Sequence, residues 1–408
     1  MKPHLIYTLF LLFFLPSPSD RLVSSVKIKP SQENALLALK GAYSGFTGST
    51  SWAKGADCSK WVGVACGPVG NVLKLALNSS GIKSPVAGIH SSLSGLSHLQ
   101  MLNLANNALL GPLTTTLSKL TRLQHLDLSS NLFNKNPNYI WNLTQLTYLD
   151  ISKTLVSGPL SPSIGALTNL KVLNVSNTYL SGEIPDEFSR LANLQFGHFD
   201  KCFFTDLPAM FPEIDGSSSN LTFSASVNLL ADMPITFPAS GAGVVAMDLA
   251  GNHIASLPTE IVLMSDLTSL NLAGNGIDGQ MADYDWPILE NIEGLFFGRN
   301  LLAGEVPVSL STLTKLKYFH FGANALNGTL PEELGNLSEL LSLDLSEREA
   351  WLLCRKRGAA VGGRKESTSG GTGGDWLWEK WEVDMWLCFG LDAKWHGWTV
   401  ETKWGGSG

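Results

Sequence analysis

LQMLNLANNALLG at residues 99–111 returns as LQHLDLSSNLFNK at 123–135, LTYLDISKTLVSG at 146–158 and LKVLNVSNTYLSG at 170–182. It returns again as LTSLNLAGNGIDG at 267–279, IEGLFFGRNLLAG at 292–304 and LKYFHFGANALNG at 316–328. The shared pattern is LxxLxLxxNxLxG. Its Asn position falls at Ser80, Asn107, Asn131, Thr154, Thr178, Cys202, Asn228, Asn252, Asn275, Asn300 and Asn324, at intervals of 23 to 27 residues. A twelfth copy starts at Leu340, with Arg348 where Asn belongs. Side chains alternate along a strand, so the two Leu of LxL point inward and the residue between them points out. Each buried Leu is worth about 1.5–3 kcal/mol, so four or five per copy supply most of the stacking energy. Where the chain turns inward its backbone groups cannot reach water, and a stacked ladder of Asn amides satisfies them. Thr154, Thr178 and Cys202 are smaller occupants of that slot, which makes Cys202 a buried ladder residue and not a reactive thiol.

Self-similarity at this period is the signature of a leucine-rich repeat solenoid. The expected fold class is an α/β solenoid: a right-handed leucine-rich repeat superhelix with a concave parallel β-sheet, about 11–12 repeats and an N-terminal helical cap. The expected organisation is a signal peptide over 1–25, a cap over 26–70, repeats over 71–346 and a non-repeat, disordered tail over 347–408. One copy is irregular. Between Phe203 and Met233 the spacing stretches, Ser224 and Ser226 interrupt the Leu rhythm, and GSSSN at 216–220 reads as a loop insertion.

A solenoid must cover the apolar end of its first repeat. SQENALLALKGAYSGF at 31–46 suits this, with Ser31 as N-cap and Leu36, Leu37, Leu39 and Tyr43 facing the first repeat. Trp52 and CSKWVGVACG at 58–67 follow. This W…CxxWxGVxC run, with one extra residue before the second Cys, resembles the N-terminal cap of plant leucine-rich repeat receptor kinases and receptor-like proteins. The Pro-ending tails GEIP at Gly182, GEVP at Gly304 and GTLP at Gly328 resemble the plant-specific class of repeat. The resemblance covers residues 1 to about 346 and implies a Cys58–Cys66 disulfide, worth about 2–3 kcal/mol for so small a loop. It also implies an extra short strand and helical turns on the convex side. A zinc pair is the competing reading of the two Cys, and it lacks further ligands at suitable spacing.

The N-terminal order of basic start (Lys2, His4), apolar run (LIYTLFLLFFL, 5–15) and small residues (Ser24, Ser25) reads as a secretory signal. Sequons at Asn78, Asn142, Asn174, Asn220, Asn327 and Asn336 agree with a glycosylated, extracellular chain. No later run has the length of a membrane span. The net charge of −7 is spread along the chain with no basic stripe, which speaks against nucleic acid as a partner. The tail holds eight of the twelve Trp without Leu periodicity, and no kinase motif is present.

Catalysis, cofactors and metals find no support: His residues are scattered and no Ser, His and Asp set comes from one region. Function is expected on the concave face, where the x residues of xxLxLxx line up. Aromatic and Arg side chains are the usual energetic anchors of an interface, and they form two clusters. One is Phe196, His198, Asp200 and Lys201; the other is Phe296, Arg299, Tyr318 and His320. Tyr148 and Lys153 lie on the same face. A glycan at Asn174 would obstruct the first cluster, which favours the second. The resemblance implies a peptide or protein ligand, with a co-receptor kinase as a further partner, in the apoplast or at the cell surface. A secreted inhibitor resembling polygalacturonase-inhibiting proteins, and a receptor kinase whose gene lost its catalytic half, are the rival readings.

Overall fold

The computed structural model describes residues 26–346, apart from breaks at 84–90, 114, 137, 213–219, 234–242, 258–260, 262–263 and 285, together with the backbone of 351–356 and 398–403. The expected signal peptide over 1–25 and most of the expected tail over 347–408 lie outside these residues. The chain divides into two compact units, one ending at Ser157 and one starting at Gly158. Each is a leucine-rich repeat solenoid built on a parallel sheet.

In the first unit, helix α1 (Pro30–Ala42) and the strand pair β1 (Val64–Cys66) and β2 (Val72–Ala76) form the cap. Pro30 at the first helical position starts the helix early, so the N-cap is Lys29 and not Ser31. Leu36, Leu39 and Tyr43 are buried as expected, while Leu37 is half-buried. Two polar residues are buried beside them. Gln32 Oε1 accepts the Val72 N–H at 2.6 Å and Glu33 Oε1 accepts the Gly55 N–H at 2.6 Å, so each satisfies an amide that would otherwise be orphaned. Cys58 and Cys66 are joined in a disulfide. Trp52 and Trp61 pack with ring centroids 5.3 Å apart, and Trp52 Nε1 donates to the Val62 carbonyl at 2.9 Å. The sheet continues with β3 (Met101–Asn103), β4 (His125–Asp127) and β5 (Tyr148–Asp150), aligned Leu102 to Leu126 to Leu149.

The second unit carries β6 (Val172–Asn174), β7 (Phe196–His198), β8 (Leu221–Ser224), β9 (Val244–Asp248) and β10 (Ser269–Asn271). It continues with β11 (Gly294–Phe296), β12 (Tyr318–His320) and β13 (Ser342–Asp344). Leu270, Leu295, Phe319 and Leu343 fall in one row. From the tail, β14 (Trp351–Lys356) pairs antiparallel with β13, and β15 (Trp398–Lys403) with β14. Opposite the sheet the chain makes short 3₁₀ turns such as Asp186–Arg190 and Val308–Thr312. Extra short strands pair between repeats, as Ser181 with Phe203 and Ala303 with Ala325.

The ladder forms. Asn131 Nδ2 donates to the carbonyls of Leu104 (2.9 Å) and Leu128 (3.0 Å), and its Oδ1 accepts the Leu109 N–H at 3.1 Å. Asn228 does the same for Phe199, Ala225 and Phe204. Each amide thus ties its own repeat to the one before. Thr154 and Thr178 are too short for this, and their hydroxyls donate to Ile151 and Val175 within the same repeat. Cys202 is buried, with Sγ 3.4 Å from the Val175 carbonyl and 3.3 Å from Thr178 Oγ1. Burial pushes its thiol pKa up, which keeps it protonated.

The irregular copy keeps its phase. Phe223 and Ala225 are buried in the two inward slots, and β8 pairs with β7 without a register shift, Gly197 opposite Phe223. Ser224 and Ser226 face outward and interrupt nothing. Residues 216–219 of the expected insertion lie outside the described ones.

Replacing a ladder Asn strands several buried backbone groups at once. Asn228→Ala should lower the unfolding free energy by about 2–4 kcal/mol in a urea titration. Thr154→Ala, which loses the one bond to Ile151 within its own repeat, should cost only about 1 kcal/mol. Equal losses would contradict the inter-repeat role of the amide.

Candidate ligand-binding face

The residue between the two inward side chains of LxL is Asn or Asp in most repeats, and it has a local task. Asn103, Asp127, Asp150, Asn174, Asp248, Asn271 and Asp344 each accept the N–H two residues ahead through Oδ1, at 2.8 to 3.2 Å. This Asx cap closes the strand and leads the backbone into the turn. The next turn residue then adopts a left-handed conformation in repeat after repeat, as at Lys153 (φ 53°), Lys201 (φ 54°) and Arg299 (φ 60°). Lys201 and Arg299 are therefore exposed on the turn that follows the strand, at its C-terminal end.

After the first repeat, where Ala76 holds the slot, two places on the sheet give up this cap. At the first, His198 and Ser224 occupy the middle slot. Asp200 takes over the work from the neighbouring repeat: its Oδ1 accepts the Ser226 N–H at 2.9 Å, the Ser226 hydroxyl at 2.9 Å and the Ser224 hydroxyl. Its Oδ2 accepts from Ser176 Oγ at 3.3 Å. The Asp200 carboxylate is thus engaged by the strands on both sides. Phe196 and His198 stack with centroids 6.4 Å apart. Beneath them Phe188, Phe199, Phe204, Phe211 and Phe223 form a buried aromatic cluster.

At the second place, Phe296 and His320 hold the middle slots and Tyr318 the slot before His320. Phe296 lies 6.1 Å from Tyr318, near parallel, and 5.2 Å from His320, edge to face. Gly294 makes room for the ring: a Cβ there would lie 2.7 Å from Phe296 Cε2. His320 Nε2 is 2.8 Å from Ser342 Oγ on the next strand. Burial lowers the His320 pKa, and the nearby Asp344 opposes that shift. The sequence offered no Ser and His together, yet the register stacks these two across adjacent repeats. Asp344 directs Oδ1 to the Ser346 N–H and hydroxyl. On the strand's N-terminal side, Lys317 Nζ pairs with Glu293 at 2.8 Å. The inner face here is also aromatic: Phe297 stacks on Phe321 at 4.9 Å, and Trp286 meets both edge to face. The outer rings therefore rest on a rigid floor. Phe196 with His198, and Phe296 with Tyr318 and His320, each form a patch as expected. Gly294, Ser342, Glu293 and Lys317 escaped the sequence reading because each is unremarkable alone and acts only through its neighbour one repeat away.

The first unit has an aromatic pair of its own. His125 stacks on Tyr148 at 4.2 Å, 17° from parallel. Burial, with Lys74 nearby, lowers the His125 pKa from 6.5 to about 4. Of the sequon residues, Asn78, Asn142, Asn220, Asn327 and Asn336 are exposed, whereas Asn174 is half-buried in β6 with its Oδ1 engaged by Ser176. Among the described residues no group of His, Cys, Asp or Glu could hold a metal ion, and no helix is long and apolar enough to cross a membrane.

The fold, a leucine-rich repeat solenoid with a disulfide-closed cap, is similar to that of plant leucine-rich repeat receptor ectodomains. The family model described as Leucine Rich Repeat matches residues 122–143 and 169–191. Receptor-like protein 7 of Arabidopsis thaliana is 37% identical over 131 residues, which cover 31% of this chain and 13% of that protein. The chain thus aligns with a small part of the length of the curated relatives it matches. Among solved structures, the Arabidopsis receptor kinase HAESA ectodomain in complex with an IDA peptide hormone is 26% identical. It has a TM-score of 0.56 over 78% of this chain and 57% of that one. The PEPR1–AtPEP1 structure shares the fold at 22% identity, with a TM-score of 0.66 over 78% of this chain and 48% of that one.

The lowered His125 pKa makes stability depend on pH. The neutral ring is favoured in the folded state, so its contribution is complete above the unfolded value of 6.5 and is lost as pH falls toward about 4. The direction is the same for His198 and His320. Thermal melts between pH 7 and about 4 should show a progressive loss of up to about 3 kcal/mol from His125. His125→Phe should flatten that slope; an unchanged slope would count against a buried neutral ring.

Proposed function

We propose that the chain is an extracellular recognition module that captures a peptide or protein ligand on the outer face of the second unit's sheet, at Phe296, Tyr318 and His320. The observation that carries this reading is the replacement of the strand-closing Asx cap by aromatic side chains on adjacent strands, over a packed aromatic floor. The fold gains nothing locally from giving up the cap, whereas rigid rings at low entropic cost are what an interface uses. Arg299 at one end of the strands offers a cation to an acidic or carboxylate group. The HAESA structure, similar over most of this chain, holds a peptide hormone. Secretion through the 1–25 segment, glycans at the sequons, and a co-receptor kinase as second partner belong to the same reading. Phe196, His198 and Lys201 are a secondary contact region.

The purified chain can be panned against a displayed library of random short peptides and the selected peptides measured by calorimetry. Arg299→Ala with Tyr318→Ala should weaken them by about tenfold or more, while the melting temperature stays within about 2 °C. Gly294→Ala, which displaces the Phe296 ring without deleting it, should weaken them in the same direction. Peptides that bind all three proteins equally would reject this face.

A further inference from the structure

The slot directly after the ladder residue lies beyond the turn, on the flank of the solenoid. In three successive repeats of the second unit it holds Tyr179, Phe203 and Leu229, which are 53%, 45% and 43% exposed. Their backbones are linked: Ser181 pairs with Phe203, and the Leu229 N–H donates to the Phe204 carbonyl at 2.8 Å. The Tyr179 and Phe203 rings stack with centroids 6.0 Å apart. Val227, two residues before Leu229, is 51% exposed. Scattered exposed apolar side chains are ordinary, but a contiguous set marks a contact surface. The fold does not require aromatic rings there, since the same slot holds Ala108, Leu132, Leu155, His253, Gly276, Leu301 and Ala325 in other repeats, with Leu132, Leu155 and Leu301 also exposed. The three segments that carry the stripe, 177–183, 201–206 and 227–233, also carry exposed Glu183, Asp206 and Asp232 against the single base Lys201, and no sequon.

We propose that this flank docks a partner protein whose contact surface presents apolar or aromatic anchors framed by Lys or Arg. The acidic rim selects the partner's charge, and the stacked rings supply the desolvated centre. A second copy of the same patch would set acid against acid, which opposes symmetric self-pairing. This surface is separate from the sheet face proposed above, because it lies past the ladder on a different side of each repeat.

Three synthetic peptides test the chemistry on the full chain by fluorescence anisotropy: alternating Leu and Lys, the same with Glu for Lys, and the same with Ser for Leu. The Leu–Lys peptide should bind in a salt-sensitive way, and the other two about tenfold or more weaker. Tyr179→Ser with Phe203→Ser should weaken the Leu–Lys peptide by about tenfold, while Phe296→Ser with Tyr318→Ser should leave it within about twofold. Equal binding of the Ser–Lys peptide, or no effect of the flank variant, would overturn the proposal. So would a dimer in sedimentation velocity that the flank variant abolishes, which would assign the stripe to a second copy.

Discussion

Each repeat of this chain turns its backbone into an interior that water cannot reach, and the structure depends on how those amides and carbonyls are satisfied. The ladder side chain answers that need. Asn131, Asn228 and their counterparts each hold two carbonyls from successive repeats and one N–H from the preceding repeat's turn, so a single amide both closes a repeat and joins it to its neighbour. Inward Leu and Phe supply the gross stabilisation, but they would tolerate sliding. The directional bonds of the ladder fix the register in which Leu270, Leu295 and Phe319 align.

That register decides where function can reside. With the inner face committed to packing and the ladder to backbone satisfaction, only the outward strand positions and the post-ladder flank are free to vary. On most strands the middle outward position is itself taken by an Asx cap. The exceptions stand out for that reason. His198, Phe296 and His320 replace a cap, and Asp200 is recruited from the preceding repeat to restore one at Ser226. Where Phe296 and His320 stand, no side chain among the described residues takes over the cap, and the outer rings rest instead on Phe297, Phe321 and Trp286.

Much of this was legible in the sequence. The period, the ladder slots including Cys202 and the two outward clusters follow from residue types at fixed offsets, because a solenoid turns sequence spacing directly into spatial stacking, whereas the cap disulfide was implied only by the resemblance to plant receptor caps. What was not legible depends on contacts between repeats or on single-residue geometry. Pro30 moved the helix start ahead of Ser31. Gln32 and Glu33 look like solvated helix residues until Val72 and Gly55 are placed beside them. Ser224 and Ser226 read as a broken rhythm because only the burial of Phe223 and Ala225 shows that the two Ser hold outward slots. Gly294 shows no role until the Phe296 ring is seen lying over it.

The central claim is that ligand recognition falls where aromatic side chains displace the strand caps. Hydrogen–deuterium exchange with and without a selected peptide tests it most directly. The account predicts added protection in the backbone of 293–300 and 317–324, with the 3₁₀ turns at 308–312 and 332–336 unchanged. Protection confined to those turns, or spread evenly over capped and uncapped strands, would contradict it.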